Sequence, residues 1–158
     1  MENAILAAKA ALYKQDIGKN GIIQITVTGN SMFPFLENND VIVLHSSNLD
    51  DIAIGDIVLT YNDSRILCHR VFKKNKTGFQ TKADALIYPD PFAKEIDLIG
   101  KVIGKRKGSK IIGLNTYSAR FIGLFISKLM IVGAFLYIPL RLLRKIIRFL
   151  VSFFPFHK

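Results

Sequence analysis

A single cysteine, Cys68, stands among the 158 residues, so no internal disulfide can form and the fold must hold without one. No secretory signal is visible at the start: Glu2 is acidic, Lys9 interrupts the apolar run, and no long uncharged core follows. Internal repeats and low-complexity linkers are missing too. The most telling absence is acidic. Residues 98–158 carry twelve Lys/Arg and no Asp or Glu, whereas residues 1–97 carry ten Lys/Arg against twelve Asp/Glu. The net charge of +10 therefore belongs to the last third of the chain. Such an end calls for an anionic partner, nucleic acid or lipid headgroups. Because it is also the most hydrophobic part of the chain, anionic lipid is the expected partner and nucleic acid is not.

What is present is a chain half of whose residues are hydrophobic, which excludes a disordered polypeptide. Residues 1–20 read as a short amphipathic helix, with Ile5, Leu6 and Leu12 as candidate core contacts. Residues 21–28 (GIIQITVT) alternate, Ile23, Ile25 and Val27 on one face and Gln24, Thr26 and Thr28 on the other, which predicts a half-buried strand. Strand-like runs recur at 40–44, 55–61, 65–72, 78–82, 98–104 and 109–113. Turn residues separate them: Asn38-Asn39-Asp40, Asn62-Asp63-Ser64 and Lys107-Gly108. Many short strands with few helices predict a mostly β, antiparallel domain over residues 1–115.

Residues 116–158 are expected to form a separate helical, membrane-associating segment. Residues 121–140 are apolar except for Ser127 and Lys128, and twenty helical residues span roughly 30 Å, a bilayer core. Lys128 near the middle of such a span would cost roughly 2.5–3.5 kcal/mol before snorkelling. Residues 141–158 place Arg141, Arg144, Lys145 and Arg148 at helical spacing among leucines and isoleucines, the pattern of an interfacial helix on an anionic membrane. Spanning and lying in the interface remain alternatives. With no signal ahead of it, the domain is expected on the cytoplasmic side.

Three segments carry chemistry. In Gly29-Asn30-Ser31-Met32-Phe33-Pro34, a serine follows a strand at the start of an expected helical turn, where Pro34 suits the first positions. Unpaired backbone N–H groups there could hold an oxyanion. The bland reading of Ser31 is a helix cap. In Cys68-His69-Arg70-Val71, His69 shares a strand face with Leu67 and Val71. It is either a satisfied core histidine or a base tuned near neutrality. The segment from Thr81 to Pro91 offers two carboxylates, Asp84 and Asp90, either of which could orient an imidazole. Prolines on both sides of Asp90 stiffen its loop.

The order Ser31-Met32-x-Pro34, Gly55-Asp56-Ile57-Val58, His69-Arg70-Val71 and Thr81-Lys82-Ala83-Asp84 resembles the signal peptidase I family within the signal peptidase/LexA superfamily. The match covers about residues 25–104, and its histidine is similar to the endoplasmic-reticulum and archaeal branch, where bacterial relatives use lysine. The resemblance implies a signal peptidase/LexA-like β fold and a Ser31-His69 dyad, or a triad with Asp90 orienting the histidine and Asp84 as a supporting carboxylate. It implies a serine endopeptidase cutting a membrane-associated or leader-type peptide after small residues, with no cofactor and no metal. Ala83 stands in place of the usual glycine. Gly29 stands where many bacterial relatives have a serine, so the oxyanion hole is expected to use the backbone N–H groups of Ser31 and Asn30. The apolar segment here is C-terminal, whereas the family's anchor is N-terminal. The alternative is an inactive, membrane-bound peptide-binding module of the same fold. A LexA-like self-cleaving regulator is disfavoured by the histidine and by the lack of a preceding helix-turn-helix.

Overall fold

The computed structural model describes residues 2–114 and 116–125. It begins with helix α1 (Glu2–Asn20), rich in alanine, leucine and lysine, residues that lose little on becoming helical. The helix stops at Gly21. Its φ of 71° lets its N–H turn back to the Ile17 carbonyl at 2.8 Å, a left-handed cap that glycine adopts without strain. Ala10, Tyr13 and Ile17 pack on the sheet, with Leu6 half-buried on the same stripe. The expected contacts Ile5 and Leu12 are corrected: they are 61% and 57% exposed. They share a different flank, and the small Ala10 makes the 6-10-13-17 stripe the one that can approach closely.

Among the described residues eight strands follow: β1 (Ile22–Thr26), β2 (Val41–His45), β3 (Ile57–Asn62), β4 (Arg65–Asn75), β5 (Gly78–Lys82), β6 (Phe92–Ala93), β7 (Leu98–Lys107) and β8 (Lys110–Gly113). All pair antiparallel in one sheet of order β1-β2-β7-β3-β4-β5-β6, with β8 on β7. The fold is thus mostly β, as read from the sequence. Two runs extend beyond the expected ends, into β4 and β7, because their partners continue the ladder. The two-residue β6 is too short to leave a pattern. The β3–β4 hairpin turns on Asp63 and Ser64, both at positive φ (51° and 59°), the primed geometry whose twist matches paired strands.

Register shifts interrupt the ladder at Val43/Leu44, Leu59/Thr60 and Val71/Lys73. Bulges sharpen twist and bend strands, so the sheet curls. The end of β1 and the middle of β4, separated by three strands in the sheet order, come together. β3 alternates between two cores. Ile57 and Leu59 join Ile42, Leu44 and Ile99 under α1, and Val58 joins Val71, Phe79 and Leu98 on the other face.

Residues 117–125 are helical and rest on the domain. The anticipated membrane segment at 121–158 lies outside the described residues from 126 onward. Among the described residues no helix is long and apolar enough to cross a membrane.

Candidate active site

Ser31 sits in the loop between β1 and β2. Backbone bonds Val27 N–H to Asp40 O (2.9 Å) and Asn39 N–H to Val27 O (3.0 Å) zip the base of the loop. The helical first turn expected at Ser31–Pro34 is instead a succession of tight turns across 31–35. Phe33 N–H donates to Asn30 O (3.1 Å) and Phe35 N–H to Met32 O (2.9 Å), and the Phe33–Pro34 peptide is cis. Gly29, at φ 87°, donates its N–H to Asn38 Oδ1 (2.9 Å), and Asn38 N–H donates to Asn30 Oδ1 (2.9 Å). Gly29, a further candidate for oxyanion support, has its N–H committed to the loop, and the Asn30 side chain serves there as an acceptor. Among the described residues, no internal acceptor takes the Ser31 N–H.

His69 reaches the serine from β4. Its Nε2 lies 3.1 Å from Ser31 Oγ, and its Nδ1 lies 2.7 Å from Asp90 Oδ2. The imidazole is 6% exposed. Asp90 is held from three sides: its N–H donates to Thr81 O (2.8 Å), its carbonyl accepts from Gln80 Nε2 (2.8 Å), and its Oδ2 accepts from Thr81 Oγ1 (2.7 Å). Burial pushes the Asp90 carboxyl up, but hydrogen bonds from His69 and Thr81 outweigh it and hold the group below the ordinary 3.8. A carboxylate so placed fixes the imidazole with its proton on Nδ1 and the Nε2 lone pair toward Ser31. Sequence reading gave Thr81 no site role of its own. The only hint was its position in the Thr-Lys-Ala-Asp segment.

Asp84, the other candidate carboxylate, lies on a different partner. It is fully buried against Arg70, which donates from Nε to Oδ1 (2.9 Å) and from Nη2 to Oδ2 (2.7 Å), a forked pair. Arg70 Nη1 donates to Gly55 O at 2.7 Å, and the guanidinium stacks 4.7 Å from the centre of the Phe35 ring. Next to Asp84, Ala85 N–H donates to the carbonyl of Ser31 at 2.9 Å. The Arg70–Asp84 pair therefore touches all three segments of the site: β4, the serine loop through Phe35, and the loop that leads to Asp90. Lys82, between Thr81 and Ala83, is buried and donates from Nζ to Ala83 O (3.0 Å). Burial pulls its ammonium below 10.5, against the pull of Asp84 and Asp90.

Ser31 and His69 open onto a cavity of about 230 Å³ between α1, the end of β1 and β4. Leu36, Leu59 and Cys68 contribute apolar wall, and Lys9 and Tyr13 of α1 line it too. Cys68 is no rival nucleophile. Packed against the core under α1, its thiol is pushed up to about 12 by burial, with Asp84 adding to the rise, so it stays protonated.

No curated protein matches the chain. The model of the Peptidase S24-like family matches residues 4–103, a span running from the first turns of α1 into β7 and taking in Ser31, His69, Arg70, Asp84 and Asp90. By that match over most of its length, the chain belongs to the Peptidase S24-like family, serine peptidases of the LexA/signal peptidase superfamily.

Proposed function

We propose that the chain is a serine endopeptidase of the signal peptidase type that cuts a membrane-associated or leader-type peptide through Ser31, His69 and Asp90. The observation carrying this reading is the continuous row Ser31 Oγ–His69 Nε2–Asp90 Oδ2, at 3.1 and 2.7 Å, ending on an open cavity.

In the proposed reaction an extended peptide lies along the free edge of β1 and presents its carbonyl carbon to Ser31. His69 Nε2 takes the hydroxyl proton as Oγ forms the new bond. The Ser31 N–H meets the oxyanion, and Asp90 stabilises the imidazolium. The imidazolium returns its proton to the leaving amine, and the C–N bond breaks. Water then enters and gives a proton to Nε2 as its oxygen attacks the acyl carbon; the ester C–O bond breaks, the imidazolium returns the proton to Ser31 Oγ, and the acyl part leaves as a carboxylic acid. Asp84 stays outside this proton path and supports it through Arg70.

Attachment of residues 121–158 to anionic lipid belongs to the same reading, supported by their basic and apolar composition. It would concentrate the enzyme beside membrane-bound peptides. The test compares peptides in the native host carrying either the wild type or Ser31→Ala, with fluorophosphonate labelling of the purified chain. Accumulated precursor and lost labelling in the variant support a peptidase. Unchanged processing with unlabelled Ser31 in the wild type points to the inactive, peptide-binding alternative. Vesicles of anionic and of zwitterionic lipid separate membrane attachment from catalysis.

A further inference from the structure

We infer that helix 117–125 is a positioning element of the active site and that Gly123 is its positioning residue, an inference that rests on the Ser31-His69-Asp90 reading above. Gly123 is buried, and a Cβ built on it would overlap the Arg70 guanidinium. The helix backbone therefore lies directly against that group, as only glycine allows. Arg70 is enclosed on every side: Phe35 stacks on its plane, Asp84 takes its fork, the Gly55 carbonyl takes Nη1, and the helix closes over it at Gly123. The result is an arginine only 2% exposed.

Gly55 serves the same contact from below. A Cβ there would come within 3.0 Å of Arg120 Cβ and 3.1 Å of Leu124 Cδ1, so the helix is seated on it. One ion pair secures the docking. Arg120 Nε reaches Asp56 Oδ1, while Asp56 Oδ2 accepts from Ala53 N–H at 2.8 Å and pairs with Lys101 Nζ at 3.1 Å. Asp56 is 1% exposed, so Arg120 answers a charge already committed to the interior.

The consequence for chemistry follows from what Arg70 holds. It neighbours His69 on β4. Through Phe35 it touches the serine loop, and through Asp84 it anchors the residues whose N–H supports the Ser31 carbonyl and whose chain continues to Asp90. A side chain at 123 must lift the helix or push the guanidinium. Either movement shifts His69, Ser31 and Asp90 relative to one another. Fixed geometry is what a nucleophile–base pair depends on, and a displacement of one ångström can cost about a hundredfold in rate.

The test uses the full chain and a reporter peptide cleaved by the wild type. Gly123→Ala and Gly123→Leu are compared with Phe121→Ala on the exposed face of the same helix. The expectation is a fall in kcat of about tenfold for Ala and about a hundredfold for Leu, with KM nearly unchanged and slower fluorophosphonate labelling of Ser31, while Phe121→Ala behaves as wild type. Alanine is the better helix former, so an effect of helix propensity alone would have the opposite sign. Arg120→Gln should lower kcat in the same sense, and Arg120→Lys should restore most of it. Wild-type kcat in Gly123→Leu overturns the inference, as does a loss that follows only the fraction unfolded by circular dichroism. Cleavage persisting in Ser31→Ala would instead defeat the underlying reading, whatever happens at Gly123.

Discussion

His69 and Arg70 are neighbours on β4, yet they live in different chemistry. Alternation along a strand sends them to opposite faces, and each finds a carboxylate from the same stretch after β5. His69 meets Asp90 on the side of the cavity, 6% exposed and within reach of Ser31. Arg70 meets Asp84 where neither partner touches water. In the proposed reaction the first pair is a base and its orienter, able to change charge as a proton moves. The second is a permanent ion pair whose fork, carbonyl and ring contacts leave it nothing to do but hold still. A reactive pair gains from a rigid one one residue away, because the backbone between them cannot yield separately.

Breaking the two pairs should therefore give two kinds of defect. The largest effect belongs to the reactive row: Ser31→Ala or His69→Ala should each lower kcat by about 10⁶-fold, and the double variant by little more, measured by peptide turnover with intact circular dichroism. Additive losses in the double variant would mean that the two do not act as a unit. Next, Asp90→Asn keeps the shape but lets the imidazole take the wrong tautomer, for a loss of about 10⁴-fold in kcat.

On the rigid side, Arg70→Met strands a buried carboxylate and should cost about 3–5 kcal/mol in urea unfolding, whereas Arg70→Met with Asp84→Leu should recover most of it. A double variant that is stable but slow would sharpen the contrast, separating the pair's part in stability from its part in alignment.

A smaller effect is pH-dependent. The Asp90 carboxyl lies below 3.8 in the folded protein, so its ionised form favours folding. That contribution is complete above 3.8 and fades as pH falls through the lower folded value. The gap in urea midpoint between wild type and Asp90→Asn should be constant near neutrality and should narrow on acidification. Smallest of all, Ile5→Ser and Leu12→Ser should change stability by no more than about 0.5 kcal/mol, since both side chains already face water.

The same contrast marks what the sequence could and could not disclose. Strand positions were legible because half-buried strands alternate, as Ile23, Ile25 and Val27 do, and because the Asn62-Asp63-Ser64 turn announces its hairpin. The α1 contacts were misread because Ile5 and Leu12 are the more hydrophobic residues, while helical phase and the small Ala10 decide which stripe packs. Ser31, His69, Asp84 and Asp90 could be named as candidates from local motifs. The pairing of Ser31, His69 and Asp90 was implied only by the family resemblance, and the Arg70 partner of Asp84 was not foreseen, because pairing depends on how the sheet curls. The links Arg70–Asp84 and Arg120–Asp56 join residues 14 and 64 positions apart. A fully buried arginine looks in a sequence like any surface cation, and Gly123 looks like a flaw in an apolar helix.

The curl of the sheet carries one more implication, on the path by which the chain acquires its shape. Ser31 follows β1 and His69 lies on β4, with three strands between β1 and β4 in the sheet order, and the bent sheet brings the two together. A nascent or half-assembled chain holds an ordinary alcohol and a stray imidazole, neither able to cut. In the proposed reading the pair is disarmed by topology until β2, β7 and β3 have found their places between β1 and β4.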